Sequence, residues 1–356
     1  MFVLILSFIT AFIITFVAVP AIITVATSRK LYDLPNTRSS HEQPTPSLGG
    51  IAMFGGAIVS IILWTPTDYF GQLQYILGAI ILLFLIGSRD DLVPIPPVKK
   101  LMIQLLAAVI LVEKAKVSLN NLWGIFGIHQ LDRPAEFIFS VIAIVGIINA
   151  YNLIDGINGL AGGVALMGTL FFGSWFFLAG HLEWAVVAVA LAGAIVAFLH
   201  YNATPAKIFM GDTGSMLIGV LCAVMALEFI SLNKSGEGIN PWFIPNAPIV
   251  ALAVLLFPIY DTLRVFALRI AQGKSPFKAD KNHIHHQLLK GGKSHIQATL
   301  IILFFNLLLI TFTLLIKDLN LNLELLMLTT TALALNASLA TWLKQKNQKT
   351  YQEKFN

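Results

Sequence analysis

The sequence predicts an all-α, polytopic integral membrane protein, and three observations carry that prediction. Hydrophobic residues make up 57% of the 356 and charged residues only 12%, with a mean hydropathy of +0.80. Soluble domains are about 45–50% apolar and about 25% charged. Apolar windows approaching the roughly 20 residues that a helix needs to cross a hydrocarbon core recur along the chain. The basic residues, finally, crowd into alternate connecting segments, as they do when Lys and Arg collect on the cytoplasmic side.

Taken in order, the windows give eleven predicted spans, near residues 3–27, 47–64, 73–88, 100–113, 137–150, 160–179, 183–199, 213–232, 248–265, 299–316 and 322–343. Several are short, so ten is the alternative count. No positive charge precedes the first span, and the first basic residue, Arg29, follows it; the span reads as a permanent anchor rather than a cleaved signal. With the N-terminus outside, the inner segments hold 18 of the 23 Lys and Arg residues. The other five, Lys114, Lys116, Arg133, Lys234 and Lys317, lie in the alternate loops. That division places the C-terminus in the cytoplasm. Residues 1–343 read as a single transmembrane domain and 344–356 as a basic cytoplasmic tail.

The net charge of +5 is on this reading a consequence of topology and speaks for no nucleic-acid partner. It suits an anionic inner leaflet of membrane lipids and anionic ligands. Cys222 is the one cysteine, so no intrachain disulfide is available.

Sorting the polar residues by side locates the chemistry. Asp90 and Asp91 (RDDL), Asn152 and Asp155 (YNLIDGING), Asp212 (FMGDTGS) and His283, His285 and His286 (NHIHH) come from four segments distant in sequence. All four fall on the inner side, at span ends where water is expected to reach them, and none sits in mid-span where an ionisable group is most costly. The Asp90–Asp91 pair repels itself unless a cation or proton relieves it. Asn152, Asp155 and Asn158, three residues apart, share one face if the segment is helical, and the intervening glycines let a ligand approach the backbone. Asp212 alone is an ordinary helix N-cap. In the company of other carboxylates and amides it becomes a candidate ligand for Mg²⁺, or Mn²⁺, which prefer oxygen donors and leave room for phosphate. The adjacent rings of His285 and His286 are expected on different sides of a helix. Around them Arg264, Arg269, Lys274, Lys278 and Lys281 form a basic neighbourhood suited to an anion. A divalent cation, basic groups for phosphates and a membrane scaffold together point to phosphoryl chemistry on a lipid.

These residues resemble, in order along the chain, the polyprenyl-phosphate N-acetylhexosamine-1-phosphate transferases, in the glycosyltransferase family 4 grouping. The resemblance covers roughly residues 20 to 300. It rests on DLPNTRSSHEQPTPSLGG (33–50), RDDL followed by Lys100, NAYNLIDGINGLAGG (149–163), KIFMGDTGS (207–215), FPIYDT (257–262), and Arg269 with GKSPFKADKNHIHH (273–286). The resemblance implies transfer of a sugar 1-phosphate from a UDP-N-acetylhexosamine to a polyprenyl phosphate at the cytoplasmic face of the inner membrane, with Mg²⁺ required and UMP released. It implies that Asp90 and Asp91 match the aspartate pair of which one deprotonates the lipid phosphate, and that Asp212 matches the metal ligand. Asn152 and Asp155 would line the nucleotide and metal site. His283, His285, His286, Arg269, Lys100 and Asn158 would contact substrate, and Ser47, Gly49 and Gly50 a loop near the nucleotide.

The HIHH sequence resembles the N-acetylglucosamine branch, which starts O-antigen, common antigen or teichoic acid linkage; the muramoyl-pentapeptide branch, the alternative, more typically has three consecutive histidines. Two departures stand out: Asn158 occupies a position where many relatives have Asp, which drops a charge, and Arg89 precedes the Asp pair where a small residue is commoner. An ion-coupled secondary transporter is the rival from another class, but such proteins place their site near the midplane, whereas these motifs crowd one edge. A homodimer is compatible with either reading.

Overall fold

All eleven predicted spans coincide with helices in the computed structural model, which describes residues 1–32, 44–203, 205–233, 241–275 and 282–355. DLPNTRSSHEQ (33–43), with Arg38, PFKADK (276–281), with Lys278 and Lys281, and Lys234 lie outside the described residues. The helices are α1 (Phe2–Arg29), α2 (Gly49–Trp64), α3 (Phe70–Leu92), α4 (Pro97–Glu113), α5 (Arg133–Ile154), α6 (Leu160–Leu178), α7 (Leu182–Asn202), α8 (Gly211–Leu232), α9 (Ala247–Val254), α10 (Leu256–Ala271), α11 (Ile284–Lys290), α12 (His295–Leu315) and α13 (Leu321–Phe355). By length and composition eight of them can cross a membrane, or nine if α9 and α10 form one broken span. Of the two remaining predicted spans, α2 has 16 residues and α4 has 17.

The core is built round α8, whose side chains are buried almost along its whole length. It packs against α5, α3, α2 and α6, and small residues permit the close approach. A Cβ at Gly50 of α2 would stand 2.1 Å from the backbone nitrogen of Gly214 on α8. One at Gly87 of α3 would stand 2.7 Å from the Cα of Thr213. These contacts bring the ends of α2 and α3 to the start of α8, where three of the predicted motifs meet.

Two features depart from the sequence expectation. The predicted span at 248–265 is not straight: α9 and α10 meet at 73°. Pro258 has no N–H to offer the carbonyl of Val254 four residues before it, so the helix breaks there. The freed carbonyl accepts instead from Asn306 Nδ2 at 3.2 Å. The loop between α4 and α5 also folds into a small antiparallel hairpin, β1 (Asn121–Ile125) and β2 (Ile128–Gln130), with Ile125 opposite Ile128. Gly124 and Gly127 take positive φ in and beside its turn, a conformation glycine adopts at little cost.

Candidate active site

The first turn of α8 begins at Gly211, whose φ is +72°. A Cβ there would lie 2.1 Å from the Ser47 carbonyl oxygen and 2.6 Å from Asp91 Oδ1, so only glycine lets the two approach. Asp91 then takes the N–H groups that a helix start leaves without intrahelical partners. Its carboxylate accepts from the N–H of Asp212 at 2.6 Å, the N–H of Thr213 at 3.1 Å and the Thr213 hydroxyl at 2.6 Å. The ordinary-cap reading of Asp212 therefore gives way: the capping carboxylate comes from α3.

Freed from capping, Asp212 turns its oxygens outward. Oδ2 pairs with Lys100 Nζ at 2.5 Å, and Oδ1 accepts from Asn152 Nδ2, which also donates to Ser215 Oγ at 2.9 Å. Lys100 reaches Asp90 Oδ2 at 3.3 Å as well, while Asp90 Oδ1 accepts from the Ile95 N–H at 2.6 Å. Residues of α3, α4, α5 and α8 thus share one half-buried network, in which a single ammonium bridges two carboxylates.

The glycine-rich corner does not continue the helix before it. α5 ends at Ile154, and Gly159 has a φ of +77°, so Asn152, Asp155 and Asn158 do not share a helix face. The Asn158 N–H donates to His295 Nδ1 at 3.4 Å, its carbonyl accepts from the Thr299 hydroxyl at 3.0 Å, and the Gly159 N–H donates to Asn202 Oδ1 at 2.7 Å. Asp155 stays with the carboxylates. It makes no hydrogen bond among the described residues, and its carboxyl is pushed up to about 7, by burial first and then by the charges of Asp212 and Asp91.

Beside this corner stands the histidine segment. Asp261 of α10, fully buried, accepts from His283 Nδ1 at 2.8 Å, from the Ile284 N–H at 3.0 Å and from Arg264 Nη2 at 2.8 Å. His285 is 1% exposed, and among the described residues neither of its ring nitrogens has a hydrogen-bond partner. Burial, with His286 and the other imidazoles adding to it, lowers its pKa to about 3, so the ring is neutral. Its Nε2 sits 2.4 Å from where a Cβ of Gly156 would be, so this glycine joins the two halves of the site.

Several expectations about exposure are corrected. His283 and His285 are buried rather than open to water, and Arg269 is 3% exposed with its guanidinium 5.8 Å from the centroid of the Phe266 ring. The rings of His285 and His286 are not splayed but meet with centroids 4.3 Å apart, since neighbours on a helix are separated by about 100° and not 180°. His286 is the half-exposed member. Gly49 and Gly50 are buried and donate their N–H groups to the carbonyls of Phe209 and Met210 at 2.9 and 2.8 Å. They join the 44–50 segment to the start of α8, with Ser47 half-buried beside it.

Comparison with known proteins identifies relatives of the chain. A family model described as Glycosyl transferase family 4 matches residues 73–230. The decaprenyl-phosphate N-acetylglucosaminephosphotransferase of Mycolicibacterium smegmatis is 34% identical over 315 residues, 82% of this chain and 77% of its own length. The chain belongs to glycosyl transferase family 4. The probable undecaprenyl-phosphate N-acetylglucosaminyl 1-phosphate transferase of Bacillus subtilis is 32% identical, covering 84% of this chain and 81% of its own length. The undecaprenyl-phosphate alpha-N-acetylglucosaminyl 1-phosphate transferase of Salmonella typhi is 30% identical, covering 76% and 72%.

Within this family 4 chain the matched segment contains the whole carboxylate network and ends before Asp261 and the histidines. The oxygen donors Asp212, Asp155 and Asn152 fit a hard divalent cation, and Asp155, without a hydrogen bond and facing two other carboxylates, is the group that a cation would most relieve. Among the described residues no three His, Cys, Asp or Glu side chains already converge as a ligand set; the positive charge between Asp90 and Asp212 belongs to Lys100. Sequence reasoning did not single out Thr213, Ser215, His295, Asn202 or Asp261 as site residues. Asp261 was the most accessible of these to it, because Asp261 and Arg264 at three-residue spacing in YDTLR share a helix face.

Proposed function

We propose that the protein transfers an N-acetylhexosamine 1-phosphate, N-acetylglucosamine 1-phosphate as the leading case, from a UDP-sugar to a polyprenyl phosphate, with release of UMP. The relatives named for this transfer support the reading at 28–34% identity over most of the chain. The observation that carries it is the convergence of Asp90, Asp91, Lys100, Asn152 and Asp212 at the start of α8, with Asp155 beside them. Carboxylates and an ammonium in one half-buried network suit the handling of a diphosphate. In this chemistry a phosphate oxygen of the lipid attacks the β-phosphorus of the UDP-sugar, the bond to the α-phosphate bridging oxygen breaks, and UMP departs with its charge.

Mg²⁺, held by Asp212, Asp155 and Asn152, would supply charge neutralisation for the diphosphate. Asp90 is the candidate base for the lipid phosphate, because Asp91 is already committed to three donors. Lys100 holds Asp90 and Asp212 in register and offers positive charge to phosphate oxygens. The buried pair of Asp261 and His283 orients the histidine segment, so that His286 is the imidazole placed to meet substrate. The active site belongs on the cytoplasmic face of the inner membrane, as the 18-to-5 division of basic residues implies. A reporter fused after Asn356 is expected in the cytoplasm, and one placed in the 121–130 hairpin outside.

Purified protein supplied with UDP-N-acetylglucosamine, undecaprenyl phosphate and Mg²⁺ should release UMP and form a lipid-linked sugar diphosphate. UDP-N-acetylgalactosamine and UDP-N-acetylmuramoyl-pentapeptide in parallel reactions identify the donor. Absence of UMP with all three donors overturns the assignment. Donor labelled in the β-phosphate and incubated without lipid should leave no label on the denatured protein; retained label overturns direct attack.

A further inference from the structure

α11 carries His285 and His286 and is only seven residues long, too short to persist through its own backbone hydrogen bonds. Its position must come from its surroundings: α12 packs along it, Leu288 and His285 are buried, and its two ends are gripped. At the N-terminal end the grip is Asp261, which accepts the Ile284 N–H and holds His283. At the other end the chain caps the helix with its own N–H groups, Gly292 to Leu289 and Lys293 to Leu288, and the side-chain contacts come from α13. Lys346 Nζ donates to the carbonyl of Gly291, which ends α11. Trp342 lies against the same residue: a Cβ on Gly291 would stand 2.6 Å from Trp342 Cζ3 and 2.7 Å from Leu343 Cδ2. A Cβ on Gly292, which has a φ of +77°, would stand 2.8 Å from Lys346 Nζ. The Trp342 ring also takes two cations, Lys293 Nζ at 5.5 Å from its centroid and Lys346 Nζ at 5.7 Å.

The arrangement matches the electrostatics of a helix. An anion sits where the partial charge of α11 is positive and an ammonium where it is negative. The indole face holds the ammonium and the Lys293 side of the next turn together. Gly291 has a φ of −73°, which any residue adopts, so the want of a side chain there answers to Trp342 and Leu343 and not to backbone geometry.

We propose that the C-terminal helix α13 is a clamp for the histidine helix, with Trp342 and Lys346 as positioning residues that fix where His285 and His286 stand. Among the described residues the contacts set out above for the two residues are with Gly291, Gly292 and Lys293 and not with the carboxylate network. Their effect on turnover rests on the transferase reading above, whereas their effect on α11 does not.

Two measurements on the full-length protein in lipid nanodiscs keep these apart. The first is hydrogen–deuterium exchange over 284–292, compared with the buried helix 211–232. Trp342→Ala and Lys346→Ala should raise exchange over 284–292 about fivefold, the scale of a lost helix-end charge and cation–π contact, and leave 211–232 unchanged. Trp342→Phe and Lys346→Arg should recover most of the protection. Gly291→Ala should behave like Trp342→Ala, because the new methyl evicts the indole. Adding Gly291→Ala to Trp342→Ala should cost less than Gly291→Ala alone, because only the contact with Leu343 Cδ2 at 2.7 Å then remains. The second measurement is UMP release, in which the two alanine variants should raise the donor KM severalfold with a smaller change in kcat. Unchanged exchange over 284–292 in both alanine variants overturns the clamp. So does an additive double variant, or exchange that rises equally over 211–232. Changed exchange in a protein that releases no UMP even unmutated would leave the clamp standing and remove the transferase reading.

Discussion

Asp91 on α3 accepts the backbone N–H of Asp212 on α8 at 2.6 Å, so two aspartates of separate motifs are neighbours with different duties. One carboxylate holds the helix, and the other faces the site. Because Asp91 also takes the N–H and hydroxyl of Thr213, Asp91→Ala leaves three donors without their acceptor. A loss of about 2–4 kcal/mol of stability is expected, read as a lower melting temperature in detergent and accompanied by loss of turnover. Asp90→Asn should lose turnover with a much smaller shift in melting. Equal melting of the Asp91→Ala variant and the wild type would refute the capping role.

Turnover should vanish on chelation with EDTA and return with Mg²⁺ or Mn²⁺. Asp212→Asn keeps the hydrogen bond from Asn152 within reach but removes the charge that Lys100 uses and that the proposed cation would use. It should lower kcat by several orders of magnitude and raise the Mg²⁺ needed for half-maximal rate. Near-normal turnover in that variant would show that Asp212 serves α8 alone.

Asp155 and His285 flank Gly156 and carry opposite shifts. The Asp155 carboxyl is raised from 3.8 to about 7. Its contribution to stability is therefore complete below about pH 4 and is lost as pH rises towards 7. The His285 ring is lowered from 6.5 to about 3, so its contribution is present above about pH 6.5 and is lost as pH falls towards 3. Between those limits the two slopes oppose each other. Relative to the wild-type profile of the metal-free protein from about pH 4 to 6.5, Asp155→Asn should tilt the melting temperature upward with pH, and His285→Gln should tilt it downward. Parallel profiles for all three proteins would contradict the assignment.

Gly50→Ala forces a methyl to within 2.1 Å of the Gly214 backbone nitrogen, a neighbour that cannot rotate away. A cost of about 1–3 kcal/mol is expected, together with loss of turnover as α2 shifts from α8. Gly55→Ala, five residues along the same helix, meets nothing within 4 Å and should be neutral or stabilising by up to about 1 kcal/mol. Thermal melting of the two variants side by side checks the contrast.

Much of this was legible in the sequence, because hydropathy reports directly on a helix that must satisfy its own backbone in lipid. The convergence of RDDL, YNLIDGING and FMGDTGS was legible too, since each sits at a span end and the basic residues order the ends by side. What the sequence could not show was division of labour within a motif. Asp90 and Asp91 are adjacent and identical in type, yet Asp91 is drawn to α8 only because Gly211 and Gly87 let the backbones approach. The apparent helical face of Asn152, Asp155 and Asn158 was undone by Gly156 and Gly159, which the same motif displays. The break at Pro258 was printed in FPIY and passed over, because a window average is blind to a single missing N–H. The hold of Trp342 on Gly291 joins residues 51 apart in sequence, with no periodicity to announce it.

α8 has one further consequence, which concerns how the chain is made. Among the described residues its main packing partners, α2, α3, α5, α6 and α7, precede it in the sequence, and α9 follows. A growing chain therefore presents a prepared cleft before α8 leaves the ribosome, and this buried helix need not wait exposed to lipid for partners still unmade. Its arrival brings Asp212 to Asp91, Lys100 and Asn152 in one event, so the carboxylate half of the site is born complete near residue 232. The histidine half can be added only afterwards, once α10 and α11 have been synthesised.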